Sequence, residues 1–146
     1  MSAVPELWRD LLASMPLRGP ALLLTGIVRS EPGWVEATAR VPLGHPLVVA
    51  GAAPCFLGLE LGAQAAAAME ALSRSREASD REPGVGYLVR VREASFLARH
   101  LPVDTTLRVT ARLEGAALPL AIHRITVGTA EVDLVCARIA THRGSS

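Results

Sequence analysis

Residues 44–72 read GHPLVVAGAAPCFLGLELGAQAAAAMEAL. Between Pro54 and Met69 there is one charged side chain, Glu60, and one other strongly polar one, Gln64. Everything else there is apolar or small. A helix of this composition is greasy on nearly every side, and such a helix belongs inside a protein. Pro54 suits the first helical position, where a missing N–H costs nothing. The pattern then runs to about Ser73, so a central helix is expected over about 54–73. The rest of the chain must wrap around it.

Upstream, Leu7, Leu11, Leu12 and Met15 recur at helical spacing between Pro5 and Pro16, giving a short amphipathic helix over about 5–15. Residues 21–29 are an apolar run, and Pro32-Gly33 is turn chemistry. From Val35 to Val41 apolar residues alternate with Glu36, Thr38 and Arg40, the signature of a half-buried strand hairpin-paired with the run before it. Residues 42–53 hold two prolines and two glycines and read as loop. Downstream, residues 73–86 are polar and Gly/Pro-bearing, an exposed connection. Four strand patterns follow, around 87–92, 107–113, 118–127 and 130–141, the last two separated by the hairpin signal Gly128-Thr129. The order is short helix, two strands, long helix, four strands. One antiparallel sheet wrapped around one central α-helix satisfies it, an α+β fold in a single domain over residues 1–146.

The composition narrows the function classes. The chain has 146 residues, half of them hydrophobic but only 3% aromatic, so its core is built from Val, Leu, Ile and Ala. All 15 basic residues are Arg, and against 14 acidic ones they leave a net charge of +1, without the basic bias of a nucleic-acid binder. Glu, Arg and Asp interrupt the apolar pattern of the N-terminus, which argues against an export signal. The Ala-rich segment 61–69 is too short to span a bilayer. Cys55 and Cys136 suggest no disulfide framework, which points to a reducing cytoplasm. His100 and His123 are isolated, with no spacing that supports a metal site. His123 lies in a strand and is expected to face solvent or a neighbouring strand.

The chemistry centres on the long helix and the loop before it. Glu60 and Gln64 are four residues apart and share a helix face. The plainer reading is a narrow solvent stripe, but Ala67 and Ala71, next along that line, are not polar. The sharper reading is a carboxyl kept protonated by an apolar pocket, able to act as a general acid. His45 sits in Gly44-His45-Pro46, where the proline restricts its backbone. Imidazole suits proton transfer near neutral pH, although His-Pro is also ordinary loop chemistry. The first turn, Pro54-Cys55-Phe56, could point N–H groups at a carbonyl oxygen. The same position could activate the Cys55 thiol, or Cys55 could be a small buried filler.

These pieces together resemble the β-hydroxyacyl-acyl-carrier-protein dehydratases of the hotdog superfamily. The residues that carry the resemblance are Met15 through Leu24, His45-Pro46, Gly51 through Pro54, Gly58-Leu59-Glu60 and Ala63-Gln64. The likeness covers about residues 7–140, and is nearest to the small stand-alone dehydratases of aryl-polyene and polyketide gene clusters. It implies β-elimination from a 3-hydroxyacyl thioester. His45 would remove the proton next to the thioester carbonyl, and Glu60 would protonate the departing hydroxyl. The resemblance also implies that these two groups meet across a dimer interface. It makes the N–H of Cys55, after Pro54, a donor to the thioester oxygen, and Gln64 a support for the acid. Gly58 and Gln64 would contact the substrate, and the apolar, Ala-rich helix becomes one wall of an acyl tunnel. No cofactor is implied beyond the phosphopantetheine of an acyl carrier protein. That partner is acidic in most systems, and Arg74, Arg76, Arg81, Arg90 and Arg92 could form its docking patch, or be ordinary solvated charge. Leu17, Leu47 and Cys55 depart from the pattern and put substrate choice in question. Two other functions compete: a hotdog thioesterase, and a non-catalytic subunit paired with a related dehydratase.

Overall fold

The computed structural model describes Leu11 and residues 19–76, 86–117 and 119–143. A 3-10 turn at Gly19–Ala21 leads into β1 (Leu24–Glu31) and β2 (Trp34–Ala39). The two residues between them are Pro32 and Gly33. Gly33 has φ +75°, so proline followed by a left-handed glycine closes a tight turn. A long loop then reaches the two-residue strand β3 (Ala53–Pro54) and the helix α1 (Leu57–Arg76). The chain finishes with β4 (Gly86–Phe96), the short β5 (His100–Leu101), β6 (Leu107–Ala117), β7 (Leu120–Gly128) and β8 (Asp133–Arg143).

Six strands make one antiparallel sheet in the order β1-β2-β6-β7-β8-β4. Its inner face is lined by every second residue: Val35, Ala37 and Ala39 on β2, Leu107, Val109 and Ala111 on β6, Ile125 and Val127 on β7, Val135, Ala137 and Ile139 on β8. The helix lies against this face and touches β1, β2, β6, β7 and β8. Alanine on both surfaces lets them come close. At Gly62 even one extra carbon would not fit, because a Cβ there would stand 2.1 Å from Ile125 Cδ1. The expected architecture, an antiparallel sheet wrapped around one long helix, is the one observed, and it is a hotdog fold.

Three expectations are corrected. The helix runs over Leu57–Arg76 rather than 54–73. Pro54 is not its first residue; it pairs with His100 across β3 and β5, and Cys55 N–H donates to the Arg99 carbonyl at 3.2 Å. That pairing holds residues 53–55 extended, so helical turns begin only after Phe56. His123 does not face solvent: it is 0% exposed, on the helix side of the sheet. The N-terminal helix expected over 5–15 lies outside the described residues except for Leu11, which is helical and buried. Within the connection expected over 73–86, residues 73–76 belong to α1, residue 86 begins β4, and 77–85 lie outside the described residues.

Candidate functional site

Gln64 is the best-anchored polar side chain of the helix. It is 1% exposed, yet every part of its amide is used. Its Oε1 accepts the Leu23 N–H at 2.8 Å and the Leu24 N–H at 3.4 Å. Its Nε2 donates to the Ala21 carbonyl at 2.8 Å and to Glu60 Oε1 at 3.1 Å. A buried amide left unmatched is expensive, so full pairing is what lets it sit there. The consequence is mechanical. Gln64 ties the start of β1 to the first turn of α1 and fixes one oxygen of Glu60. That carboxyl is half-buried, one helical turn along the same face. Helical spacing alone placed this pair together, and the structure adds its third member, the backbone of residues 21–24.

His45 is held by its own loop. Its N–H donates to the Pro42 carbonyl at 3.0 Å, and its carbonyl accepts the Val48 N–H at 2.9 Å. The Leu47 N–H donates to His45 Nδ1 at 3.1 Å. With Nδ1 accepting, the neutral ring carries its proton on Nε2. Asp104 clamps the loop's base: its N–H reaches the Val41 carbonyl at 2.9 Å, its carboxylate accepts the Leu43 N–H at 3.3 Å, and it lies 3.7 Å from Arg40. Nothing described within one chain joins His45 to Glu60; their hydrogen bonds lead to different partners.

The entry to α1 opens onto an apolar groove of about 610 Å³, lined by Pro54, Cys55, Phe56, Phe96, Leu97, Ala98 and Arg99. Phe56, Phe96 and Leu97 are exposed, as are Leu43, Leu47 and Val49 of the His45 loop. The segment 96–99 was not singled out by the sequence. Its one local signal is Phe96-Leu97, two consecutive large apolar residues where the strand alternation of β4 breaks. The N–H of Cys55, expected to serve a thioester oxygen, is instead occupied by Arg99. Cys55 itself is 5% exposed, as the small buried filler would be. Burial pushes its pKa up, against a smaller opposing effect of a backbone hydrogen bond, and its Sγ lies 3.7 Å from the Leu134 carbonyl oxygen. Gly58 is buried against Val135, where an added Cβ would come within 2.8 Å of Cγ2, so it serves close packing. Among the described residues no group of three or more His, Cys, Asp or Glu is placed to hold a metal ion. No helix among them is long and apolar enough to cross a membrane.

A six-stranded antiparallel sheet wrapped around a helix that carries a half-buried carboxyl places the chain in the hotdog-fold class. Within that class, the chain belongs to the ApeP-like family, described as ApeP dehydratase, whose profile matches residues 10–144. No curated protein matches the chain. Solved structures share the fold at low identity. "The Dehydratase Heterocomplex ApeI:P from Xenorhabdus doucetiae" superposes with a TM-score of 0.83 at 17% identity, over 94% of this chain and 92% of that one. The thioesterase superfamily member 2 of Mus musculus gives 0.69 at 15% identity, over 99% of both chains. A hypothetical thioesterase of Streptococcus pneumoniae, solved with coenzyme A, gives 0.60 at 12% identity, over 97% and 98%.

Proposed function

We propose that this dehydratase acts on 3-hydroxyacyl thioesters carried by an acyl carrier protein and yields trans-2-enoyl thioesters. The observation that carries the reading is the Gln64 clamp on Glu60. One carboxyl oxygen is fixed by Nε2 at 3.1 Å, which aims the other as the proton donor. In the proposed step His45 takes the proton from the carbon beside the thioester carbonyl. The C–H electron pair becomes the double bond, the carbon–oxygen bond at position 3 breaks, and the hydroxyl leaves as water with the proton of Glu60. Transfer of the proton from imidazolium to carboxylate resets the site. His45 of one subunit serves Glu60 of another in this scheme. To act as a base the ring must present a lone pair, so its Leu47 contact opens or the ring turns. The substrate brings its own phosphopantetheine arm, and no further cofactor enters. The reaction is placed in the cytoplasm, in keeping with two free thiols.

With purified protein and a 3-hydroxyacyl thioester, enoyl-thioester absorbance should appear. Glu60→Gln and His45→Ala should each lower the rate by about 10²–10⁴-fold, the usual contribution of a general acid or base, with melting temperature retained. Full activity in both variants would sink this assignment.

A second reading is a subunit that works in a heteromeric pair with a related dehydratase. Two observations favour it: the similar Xenorhabdus doucetiae structure is a dehydratase heterocomplex, and Nδ1 of His45 is engaged as an acceptor. Inactivity alone, and activity on mixing with the paralogue, would select it. Release of free thiol in place of enoyl product would select the thioesterase alternative instead.

A further inference from the structure

The loop that carries His45 runs from Pro42 to Ala52, and burial does little to hold it. Val41 before it and Ala53 after it are 0% exposed. Between them no side chain is buried, and only His45, Val48 and Ala52 are partly covered. The loop is nevertheless ordered within itself. The His45 N–H donates to the Pro42 carbonyl, the Val48 N–H donates to the His45 carbonyl, and Val49 and Ala52 exchange a reciprocal pair of hydrogen bonds at 3.0 Å. Ala50 (φ +52°) and Gly51 (φ +74°) close that pair as a tight turn. A unit that is stiff inside but unburied is aimed by its two ends.

One short segment, residues 100–104, grips both ends. β5 holds the exit, pairing Leu101 with Ala53 and His100 with Pro54. Leu101 is buried, so this grip is backed by the core. Asp104 holds the entry. Its N–H donates to the Val41 carbonyl at 2.9 Å, and its Oδ1 accepts the Leu43 N–H at 3.3 Å. These two contacts bracket Pro42, whose carbonyl takes the His45 N–H. Asp104 does this at φ +53°, a left-handed backbone that glycine adopts freely and other residues adopt at a cost. Thr105 Oγ1 donates to the Val103 carbonyl at 3.0 Å and pins the turn. Strain of this kind gathers at working sites. Glycine at 104 would relieve it and leave the Leu43 N–H without its acceptor. The ion pair with Arg40 matters less: the two side chains are 52% and 47% exposed, and solvent screens such pairs.

We propose that Asp104 is a positioning residue for His45. By fixing residues 41–43 it sets the angle of the whole loop, so that the imidazole is presented in one orientation. Asp104 touches no reacting atom; it acts through Leu43, Pro42 and the hydrogen bonds inside the loop. The inference rests on the reading of His45 as the base. It also accounts for the residue type. Position 104 needs a side-chain acceptor on a left-handed backbone, and Asp and Asn combine the two. Glycine has the backbone without the acceptor, and alanine has neither. Substitution therefore separates acceptor, backbone and charge.

The test compares Asp104→Asn, Asp104→Gly and Asp104→Ala with the wild type by turnover, thermal unfolding and heteronuclear NMR of histidine-labelled protein, with His45 assigned through His45→Ala. At about pH 8, above the ordinary imidazole range, wild-type His45 should show the Nε2–H tautomer that its Leu47 contact selects. Asp104→Gly should melt above Asp104→Ala, because only glycine is at ease at this φ. Both should nevertheless lower kcat by at least about tenfold, with KM changed less than about twofold, as expected when a catalytic group is misplaced. Both should also average the His45 nitrogen signals between tautomers. Asp104→Asn should recover most of kcat and the wild-type signals. Unchanged His45 signals or unchanged kcat in Asp104→Gly, a kcat that follows melting temperature across the three variants, or no recovery in Asp104→Asn overturns the inference. Loss of turnover in His45→Ala without loss in Asp104→Gly sinks the inference and leaves the base assignment standing. Full turnover in His45→Ala sinks the base assignment, and the spectra, which need no turnover, then decide whether Asp104 orients the ring.

Discussion

Gln64 shows how much one side chain can organise. It accepts from two backbone N–H groups and donates to a backbone carbonyl and to Glu60. Gln64→Ala strands those groups in a buried place, where each unmet partner costs about 1–3 kcal/mol. The variant should melt at a clearly lower temperature and lose activity beyond what the lost stability explains, because Glu60 is no longer aimed. Thermal unfolding and turnover below the melting temperature measure the two effects separately. Gln64→Glu keeps the acceptor for Leu23 and removes the donor for Glu60. It should recover more stability than activity. Spacing made the Glu60–Gln64 pair legible in the sequence. The contacts to Ala21, Leu23 and Leu24 were not, because they join residues 40 or more positions apart.

At the scale of elements, the helix–sheet contact is set by small residues. Gly62 faces Ile125, whose Cβ would lie 2.9 Å from an added Cβ. Side-chain rotation cannot move that atom. Alanine gains about 1 kcal/mol of helix propensity over glycine, but overpacking a tight core costs about 1–3 kcal/mol. Gly62→Ala should therefore be destabilising on balance, read as a lower denaturation midpoint in urea. Gly115→Ala, with nothing within 4 Å of the new carbon, should shift it little. Strand existence was readable from alternation in β2, β4 and β6, and from β-branched apolar content in β7 and β8. The start of α1 was not, because Pro54 is equally at home at a helix start and in the β3–β5 pairing, and the partner that decides is His100, 46 positions away.

For the whole molecule, the outer face of the sheet, away from the helix, links charge to stability. Glu114 is held below the usual carboxylate range, first by its hydrogen bond from Arg124 and then by the charges of Arg124 and Arg138. A lowered folded-state pKa contributes stability above the unfolded value and loses it as pH falls through the folded one. The melting temperature of the protein should therefore drop on acidification below about pH 4.3, the ordinary Glu value. Glu114→Gln should melt lower near neutrality and show a shallower acid limb. A parallel fall in both proteins would refute this role. The inner face behaves differently, since it is apolar almost throughout and holds the helix by burial. Periodicity in this sequence determined the wrapping of a sheet around a greasy helix, because burial of one face per strand and of most of the helix surface leaves few other arrangements. Residue spacing also determined that Glu60 and Gln64 stand on one helix face, because a helix repeats every 3.6 residues. Only the tertiary structure decided that Cys55 N–H is taken by Arg99, that His123 is buried, that Phe96-Leu97 completes the groove, and that Arg92, Arg138, Arg124 and Arg112 align across the outer face. Each of these depends on strand register, which is fixed by pairing between distant segments rather than by local sequence.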